Sequence, residues 1–320
     1  MSIDATISYG KAAVSVYRTY ARPLRGVPPI PESPFTGRAN NLFACAIAVE
    51  VFGADFLPAY TQGDNRNVVA TDTMKNFILR QALAYPGATL EGFLLFLGER
   101  FLATYPGMER LRLTGDEQPF DTVPVPDATN GAFDDSATLF SRSHNASAHA
   151  TLDLARDGGD VVVAAHECGC RGLQLIKLTG SSFARFARDE YTTLPEVVDR
   201  PLFIHCDIAW QYAETAAMLA PDPLDYIAAE QVRDCARVVF HQFVSKSIQH
   251  LVREIGLRLL ERFPQMAAVS FAAQNRLWDT AFVSDDDPNV KVYTDPRPPY
   301  GTITLTLRRE RGKERVASNE

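Results

Sequence analysis

The sequence predicts an α+β protein in which one module, an antiparallel sheet with a helix pair on one face, occurs twice. Three observations lead there. Sliding the chain on itself by about 158 residues sets Gly98-Glu99-Arg100-Phe101-Leu102 over Gly256-Leu257-Arg258-Leu259-Leu260, and Tyr105-Pro106-Gly107-Met108 over Phe263-Pro264-Gln265-Met266. Such self-similarity fixes an architecture before any single element is read. Two segments with helical apolar spacing precede each aligned proline, and strand-like stretches flank those pairs in the same order in both halves.

The first module is read over 1–156 and the second over 157–310, with 311–320 as a charged tail. In the first, 12–17 and the apolar run 43–52 read as strands. Helices are expected over 71–85 and 89–104, where Met74, Phe77 and Ile78, then Phe93, Leu94, Leu97 and Phe101 recur at i, i+3, i+4. Thr71 with Asp72 is expected to cap the first of these, since a side-chain oxygen there satisfies free backbone N–H groups. Strands follow over 111–113 and 138–153. The second module repeats the order: strands 160–178 and 202–212, helices 229–243 and 247–262, strands 267–275 and 301–307. Pro106 and Pro264 stand just past the second helix of each pair, where the chain cannot continue as helix. Residues 22–34, 116–135 and 284–299 read as long loops. Strand, strand, helix, helix, strand, strand is the order of helices packed on one face of an antiparallel sheet.

Composition narrows the function. The chain has 320 residues, 46% hydrophobic and 22% charged, with a formal net charge of -7. No basic stripe marks a nucleic-acid binder, and no apolar run is long enough to span a bilayer. The N-terminus carries no basic region followed by an apolar one, and the last residues are no peroxisomal address. A cytoplasmic protein is expected. Five cysteines, an odd number scattered over a long chain, argue against a disulfide framework. Cys168-Gly169-Cys170, beside His166 and Glu167, invites a metal reading, but a lone C-x-C pair in an alternating stretch reads as reduced strand cysteines.

Chemistry enters with five motifs. Ser181-Ser182-Phe183-Ala184-Arg185-Phe186-Ala187-Arg188-Asp189-Glu190-Tyr191-Thr192-Thr193-Leu194, closing on Asp199-Arg200, resembles the signature region of urate oxidases. Tyr9-Gly10-Lys11, Asn67-Val68-Val69-Ala70-Thr71-Asp72-Thr73, Ser247-Ile248-Gln249 and Gln274-Asn275-Arg276 fit the same family in the same order. The resemblance spans the whole chain, and Asn275-Arg276-Leu277-Trp278 is similar to bacterial members. It implies a tandem T-fold, a homotetramer whose paired sheets close a tunnel, and active sites shared between subunits. It also implies a cofactor-free, metal-free oxidation of urate by O2 to 5-hydroxyisourate and hydrogen peroxide in purine catabolism.

Urate is flat and acidic, rimmed by carbonyl oxygens and ring N–H groups. Arg200 offers a planar fork for a carbonyl and a ring nitrogen together. Gln249 offers a donor and an acceptor to the opposite edge, and Phe183 a stacking face. By the resemblance, the Ile248 backbone N–H completes this clamp. Lys11 and Thr71 are the implied catalytic pair, a lysine acting as base where burial or a neighbouring cation lowers its pKa. The resemblance brings both from the neighbouring subunit, with Asp72 on the purine edge. Asn275 matches the residue that holds O2 or the attacking water. Fungal and animal members carry a relay histidine two positions on; Leu277 stands there and cannot carry a proton.

Each residue has an ordinary alternative. Arg200 could pair with Asp199 or Glu196, Gln249 could be a solvated helix residue, and Phe183 could be core. Lys11 could guard a sheet edge, Thr71 and Asp72 could be capping residues, and Asn275 could be a strand-end turn. Other T-fold enzymes on pterins or purines anchor the heterocycle with a glutamate, whereas Gln249 stands at that position. A purine-binding protein without activity is the remaining reading, and intact Lys11, Thr71 and Asn275 argue against it.

Overall fold

The computed structural model describes residues 5–142 and 144–310. Eight strands form one antiparallel sheet in which each strand pairs with the next in sequence. They are β1 (Tyr9–Thr19), β2 (Leu42–Phe52), β3 (Arg110–Glu117), β4 (Ser147–Asp157), β5 (Asp160–Lys177), β6 (Leu202–Tyr212), β7 (Met266–Asn275) and β8 (Gly301–Arg308). Helices α1 (Thr71–Ala84) and α2 (Leu90–Thr104) lie between β2 and β3; α3 (Ala229–Gln242) and α4 (Ile248–Arg262) lie between β6 and β7. All four cover one face. Met74, Ile78, Phe93, Leu94, Leu97 and Phe101 from the first pair, and Val232, Cys235, Leu251, Ile255 and Leu259 from the second, bury against alternate strand residues such as Ile47, Leu111, Leu113, Val269 and Phe271. No described helix covers the opposite face, which carries polar side chains. Arg112 forks onto Asp153 (2.7 and 2.8 Å), and hydroxyls pair across strands at Thr114–Thr151 and Ser270–Thr306.

The two helix pairs carry matching single contacts. Thr89 caps α2 by accepting from the Gly92 N–H (3.2 Å), and Ser247 caps α4 by accepting from the His250 N–H (3.1 Å). Gly98 and Gly256 let these helices approach the sheet; a Cβ would lie 1.9 Å from Leu154 Cδ1 at Gly98 and 2.7 Å from Leu307 Cδ1 at Gly256. Arg156 donates to the carbonyls of Leu102, Tyr105 and Met108, and Arg309 to those of Leu260, Phe263 and Met266. At the first helix of each pair, Arg18 reaches the carbonyls of Ala82 and Tyr85, and Lys177 those of Phe240, His241 and Phe243. Cations at helix C-termini satisfy carbonyls that have no intrahelical donor.

Some expectations are corrected. Residues 138–153 are not one strand: β4 begins at Ser147, and Phe133–Arg142 pairs instead with Phe120–Pro126 in a separate hairpin arm. The stretch 116–135 read as loop because it is polar; Pro124 and Pro126, which cannot donate to a ladder, are tolerated in a two-stranded arm. Its turn is closed by Asp127, whose carboxylate accepts from the Thr129 and Asn130 N–H groups. Residues 284–299 likewise contain Lys291–Thr294, paired with Asp279–Val283. Thr71 and Asp72 do not cap α1; the cap position is Ala70, with no side-chain bond. Cys168 and Cys170 are buried strand residues of β5. The tail 311–320 lies outside the described residues.

Candidate active site

Lys11 sits near the start of β1, at an edge of the sheet. Strict alternation would put Lys11 and Val14 on opposite faces. The ladder shows otherwise: Tyr9 pairs with Val51, Lys11 with Val49, Val14 with Ile47 and Val16 with Cys45, with a bulge between Lys11 and Val14. Directly paired residues share a face, and Val51, Val49, Ile47 and Cys45 are all core. The extra residue therefore turns Lys11 onto the helix-bearing face. Ala13 takes the strain, with φ of 56°, a left-handed conformation that costs a non-glycine residue roughly 1 kcal/mol.

On that face the first turn of α1 meets it. Asp72 is exposed, and its carboxyl is held below the ordinary range first by the hydrogen bond and charge of Lys75, then by Asn76 and the nearby charge of Lys11. Thr71 is half-buried at the first helical position. The loop before it is fastened to β1 by Tyr9, whose hydroxyl accepts from the Val69 N–H (3.0 Å) and whose ring stands edge-on to Phe56 (centroids 5.1 Å). Gly10 is required between Tyr9 and Lys11, since a Cβ there would lie 1.8 Å from the Val49 carbonyl oxygen. Lys11, Thr71 and Asp72 thus form one cluster.

Phe183 and Arg200 form part of a second. Phe183 exchanges two backbone hydrogen bonds with Val197 (2.8 and 2.9 Å), and the Arg200 N–H donates to the Ser181 carbonyl (2.9 Å). This closes the 183–197 excursion and places the Arg200 guanidinium 5.6 Å from the Phe183 ring centroid. Phe186 stacks on Phe183 (4.9 Å, 14°). Asp199 accepts instead from the Thr179 hydroxyl (2.5 Å) and the Gly180 N–H (2.7 Å), and Glu196 accepts from the Arg185 N–H (3.0 Å). The two acids considered as partners for Arg200 are engaged elsewhere. Burial draws its guanidinium below the ordinary range, and its Nε has no hydrogen-bond partner among the described residues.

The same segment is tied to α4. The Ser182 N–H donates to the Ser245 carbonyl (2.8 Å), the Ser245 hydroxyl to the Ser181 hydroxyl (3.1 Å), and Ser247 caps the helix that Ile248 and Gln249 begin. The Ile248 side chain is buried while its backbone N–H, at the first helical position, has no intrahelical acceptor; Gln249 is exposed. Asn275 ends β7, paired with Ile204 on β6 and Gly301 on β8, and its Oδ1 is buried without a partner among the described residues. Arg276 braces that strand end, donating to Gln274 Oε1 (2.7 Å) and stacking on Tyr300 (3.6 Å). Tyr9 and Arg276 stand inside the motifs, but sequence reasoning gave them no role, and it missed Lys177, which lies outside every motif.

The two clusters belong to different ends of the sheet. β1 is its first strand and β7 its seventh, which at an interstrand spacing of about 4.8 Å is roughly 29 Å along the sheet. One chain therefore carries the Lys11–Thr71–Asp72 cluster and the Phe183–Arg200–Gln249–Asn275 cluster at separate ends of its sheet.

Comparison with known proteins agrees with the motifs. The sequence pattern of the Uricase family matches residues 45–151 and 166–304. The chain is 49% identical over 304 residues to the uricase of Haloferax volcanii, covering 95% of this chain and 98% of that one. It is 47% identical over 305 residues to the uric acid degradation bifunctional protein PucL of Bacillus subtilis, of which it spans 61%. The crystal structure of urate oxidase from Bacillus sp. TB-90 superposes with a TM-score of 0.91 at 45% identity, covering 95% of this chain and all of that one. A uricase structure from Bacillus fastidious gives 0.90 at 44% identity, covering 95% and 94%. With the pattern matched over most of the chain and relatives close to half identical over 95% of it, the chain belongs to the uricase (urate oxidase) family, of the bacterial type.

Proposed function

We propose that the chain oxidises urate with O2 and water to 5-hydroxyisourate and hydrogen peroxide, with no cofactor, and that its sites form between copies of the chain in a homotetramer. The observation that carries this is the division of the site: Phe183, Arg200, Ile248, Gln249 and Asn275 at one end of the sheet, Lys11, Thr71 and Asp72 at the other.

The modules, which we divide at 156/157 beside the β4–β5 turn, already meet within one chain in a way that supports the sharing. In the repeat register, Asp72 corresponds to Glu230 and Asn275 to Glu117. Glu230, in the first turn of α3, and Glu117, at the end of β3, lie on the same Arg38 guanidinium. A second copy packed likewise would bring Thr71 and Asp72 of its α1 to Asn275, Gln249 and Arg200.

In that arrangement Arg200 and Gln249 grip opposite edges of the purine and Phe183 stacks beneath it. Lys11, through Thr71, takes the proton whose loss makes urate electron-rich. Two electrons then pass to O2, which with two protons leaves as hydrogen peroxide, and water adds to the oxidised ring. The protein contributes deprotonation and alignment; Asn275 holds O2 and then water. Metal-stripped protein given urate in air should release one peroxide per urate consumed. Urate that binds but stays intact would refute the reading. Lys11→Met should lower turnover far more than it weakens binding, and Arg200→Lys should chiefly weaken binding.

A further inference from the structure

We infer that the seam between the two modules is a closed counterpart of the substrate site, in which the Arg38 guanidinium occupies the place of a planar ligand. With that side chain removed, the seam becomes a binding site for small planar guanidinium-type cations. The correspondence rests on the site residues proposed above, and the test does not use urate.

The repeat register gives the pairs. Gln249 and Glu91 are the second residues of α4 and α2. Asn275 pairs with Ile204 where Glu117 pairs with Cys45, at matching ends of β7 and β3. Asp72 and Glu230 are the second residues of α1 and α3. Where the substrate site has an open clamp, the seam has a filled one. Arg38 forks onto Glu117 (2.6 and 2.7 Å) and reaches Glu230 (3.0 Å) from the same guanidinium. Glu91 accepts from the Tyr226 hydroxyl (3.0 Å), so its ligand edge is covered by the second module. Beside this plug lies a cavity of about 610 Å³ between β2, the hairpin arm and the first turn of α3. Two carboxylates clasping one planar cation from two sides form a built site whose ligand is tethered, and a tethered group holds its place at an effective concentration in the millimolar range.

Arg38→Ala removes the guanidinium and leaves both carboxylates. Its Tm should fall, and guanidinium chloride at about 5–10 mM, a concentration range suggested by the tether and far below denaturing levels, should restore part of the loss. Methylammonium at equal ionic strength should not, because it lacks the fork, and neither salt should raise the Tm of the unaltered chain. Glu117→Gln added to Arg38→Ala should abolish the rescue. If the variant is recovered only unfolded, refolding from urea is the readout, and a yield raised by guanidinium but not by methylammonium supports the inference. Equal responses to the two salts, or refolding that guanidinium does not improve, would overturn it. So would two oxopurine-analogue sites per unaltered chain, since that requires an open seam.

Discussion

Replacing Glu91 by Gln tests the electrostatics of the seam directly. Glu91 is 4% exposed at the start of α2. It is faced by the hydroxyls of Tyr226 and Tyr212, the Cys168 thiol, Glu117 and the Arg38 guanidinium. Burial is the largest influence, and it pushes the carboxyl from 4.5 up to about 7, Glu117 adding to the rise while Arg38 and Tyr226 oppose it. The folded chain therefore holds a proton that the unfolded chain releases above pH 4.5. Stability from this group is fully present below that value, declines as pH rises, and is lost above about 7. A displacement from 4.5 to about 7 corresponds to about 3 kcal/mol. The side-chain amide introduced by Glu91→Gln does not titrate, and weakening the bond to Tyr226 costs about 1 kcal/mol at every pH. Unfolding followed at pH 5, 7 and 9, at one fixed protein concentration because the proposed assembly would contribute to stability, should show Glu91→Gln slightly below the parent at pH 5 and several degrees above it at pH 9. A difference between the two proteins that is the same at all three values would refute the reasoning.

Three other perturbations probe the placement of Lys11 and the helix–sheet contact. Deleting Ala13 removes the bulge and turns Lys11, and Tyr9 with it, to the opposite face; turnover should drop at least to that of Lys11→Met, and Tm should fall as the Tyr9 ring leaves Phe56, offset in part by the loss of the left-handed strain. Retained activity in the deletion variant would show that the bulge does not orient the lysine. Tyr9→Phe keeps the ring against Phe56 and removes the acceptor for the Val69 N–H, so amide exchange at Val69 should quicken. Its kcat should fall about tenfold through misplacement of Thr71 with KM little changed, and an unaltered exchange rate would count against the contact. Gly98→Ala should destabilise by about 1–3 kcal/mol through overpacking and cost more than Gly256→Ala, its neighbour being 1.9 rather than 2.7 Å away; urea unfolding ranks the two.

The four long helices were legible because apolar residues recur along them at helical spacing and prolines stand past α2 and α4; the caps at Thr89 and Ser247 came only with the structure. The hairpin arm was not, because 116–135 reads as a polar loop and nothing local says that residues 133–142 will pair back rather than continue into β4. Motifs named the candidate residues and some of their neighbours, such as Tyr9 and Arg276, but part of the geometry that positions them lies outside any motif. Ala12 and Ala13 carry no signal of a bulge, yet they decide which face Lys11 occupies. Asp199 beside Arg200 looks like its ion-pair partner. It is turned away by Thr179 and Gly180, groups that a linear reading does not bring to it.

Charge explains why two copies of one module end in different states. At matching positions the first module carries Glu91 and Glu117, the second Gln249 and Asn275. An anionic oxopurine about 4 Å from one carboxylate would meet a repulsion of about 4 kcal/mol at an effective dielectric constant near 20. A primary amide at the same place presents a donor and an acceptor and no charge. The seam can therefore close on a guanidinium but cannot hold urate, whereas the second module's end, with Arg200 as its cation, has the opposite preference. The hydroxyl to which the proposed function assigns proton transfer follows the same division: Thr71 opens α1, and Ala229 opens α3. In the proposed assembly the chain keeps its own seam for cohesion and takes the α1 of another copy to complete the open clamp, so dilution that separates the copies should abolish turnover before it unfolds the chain.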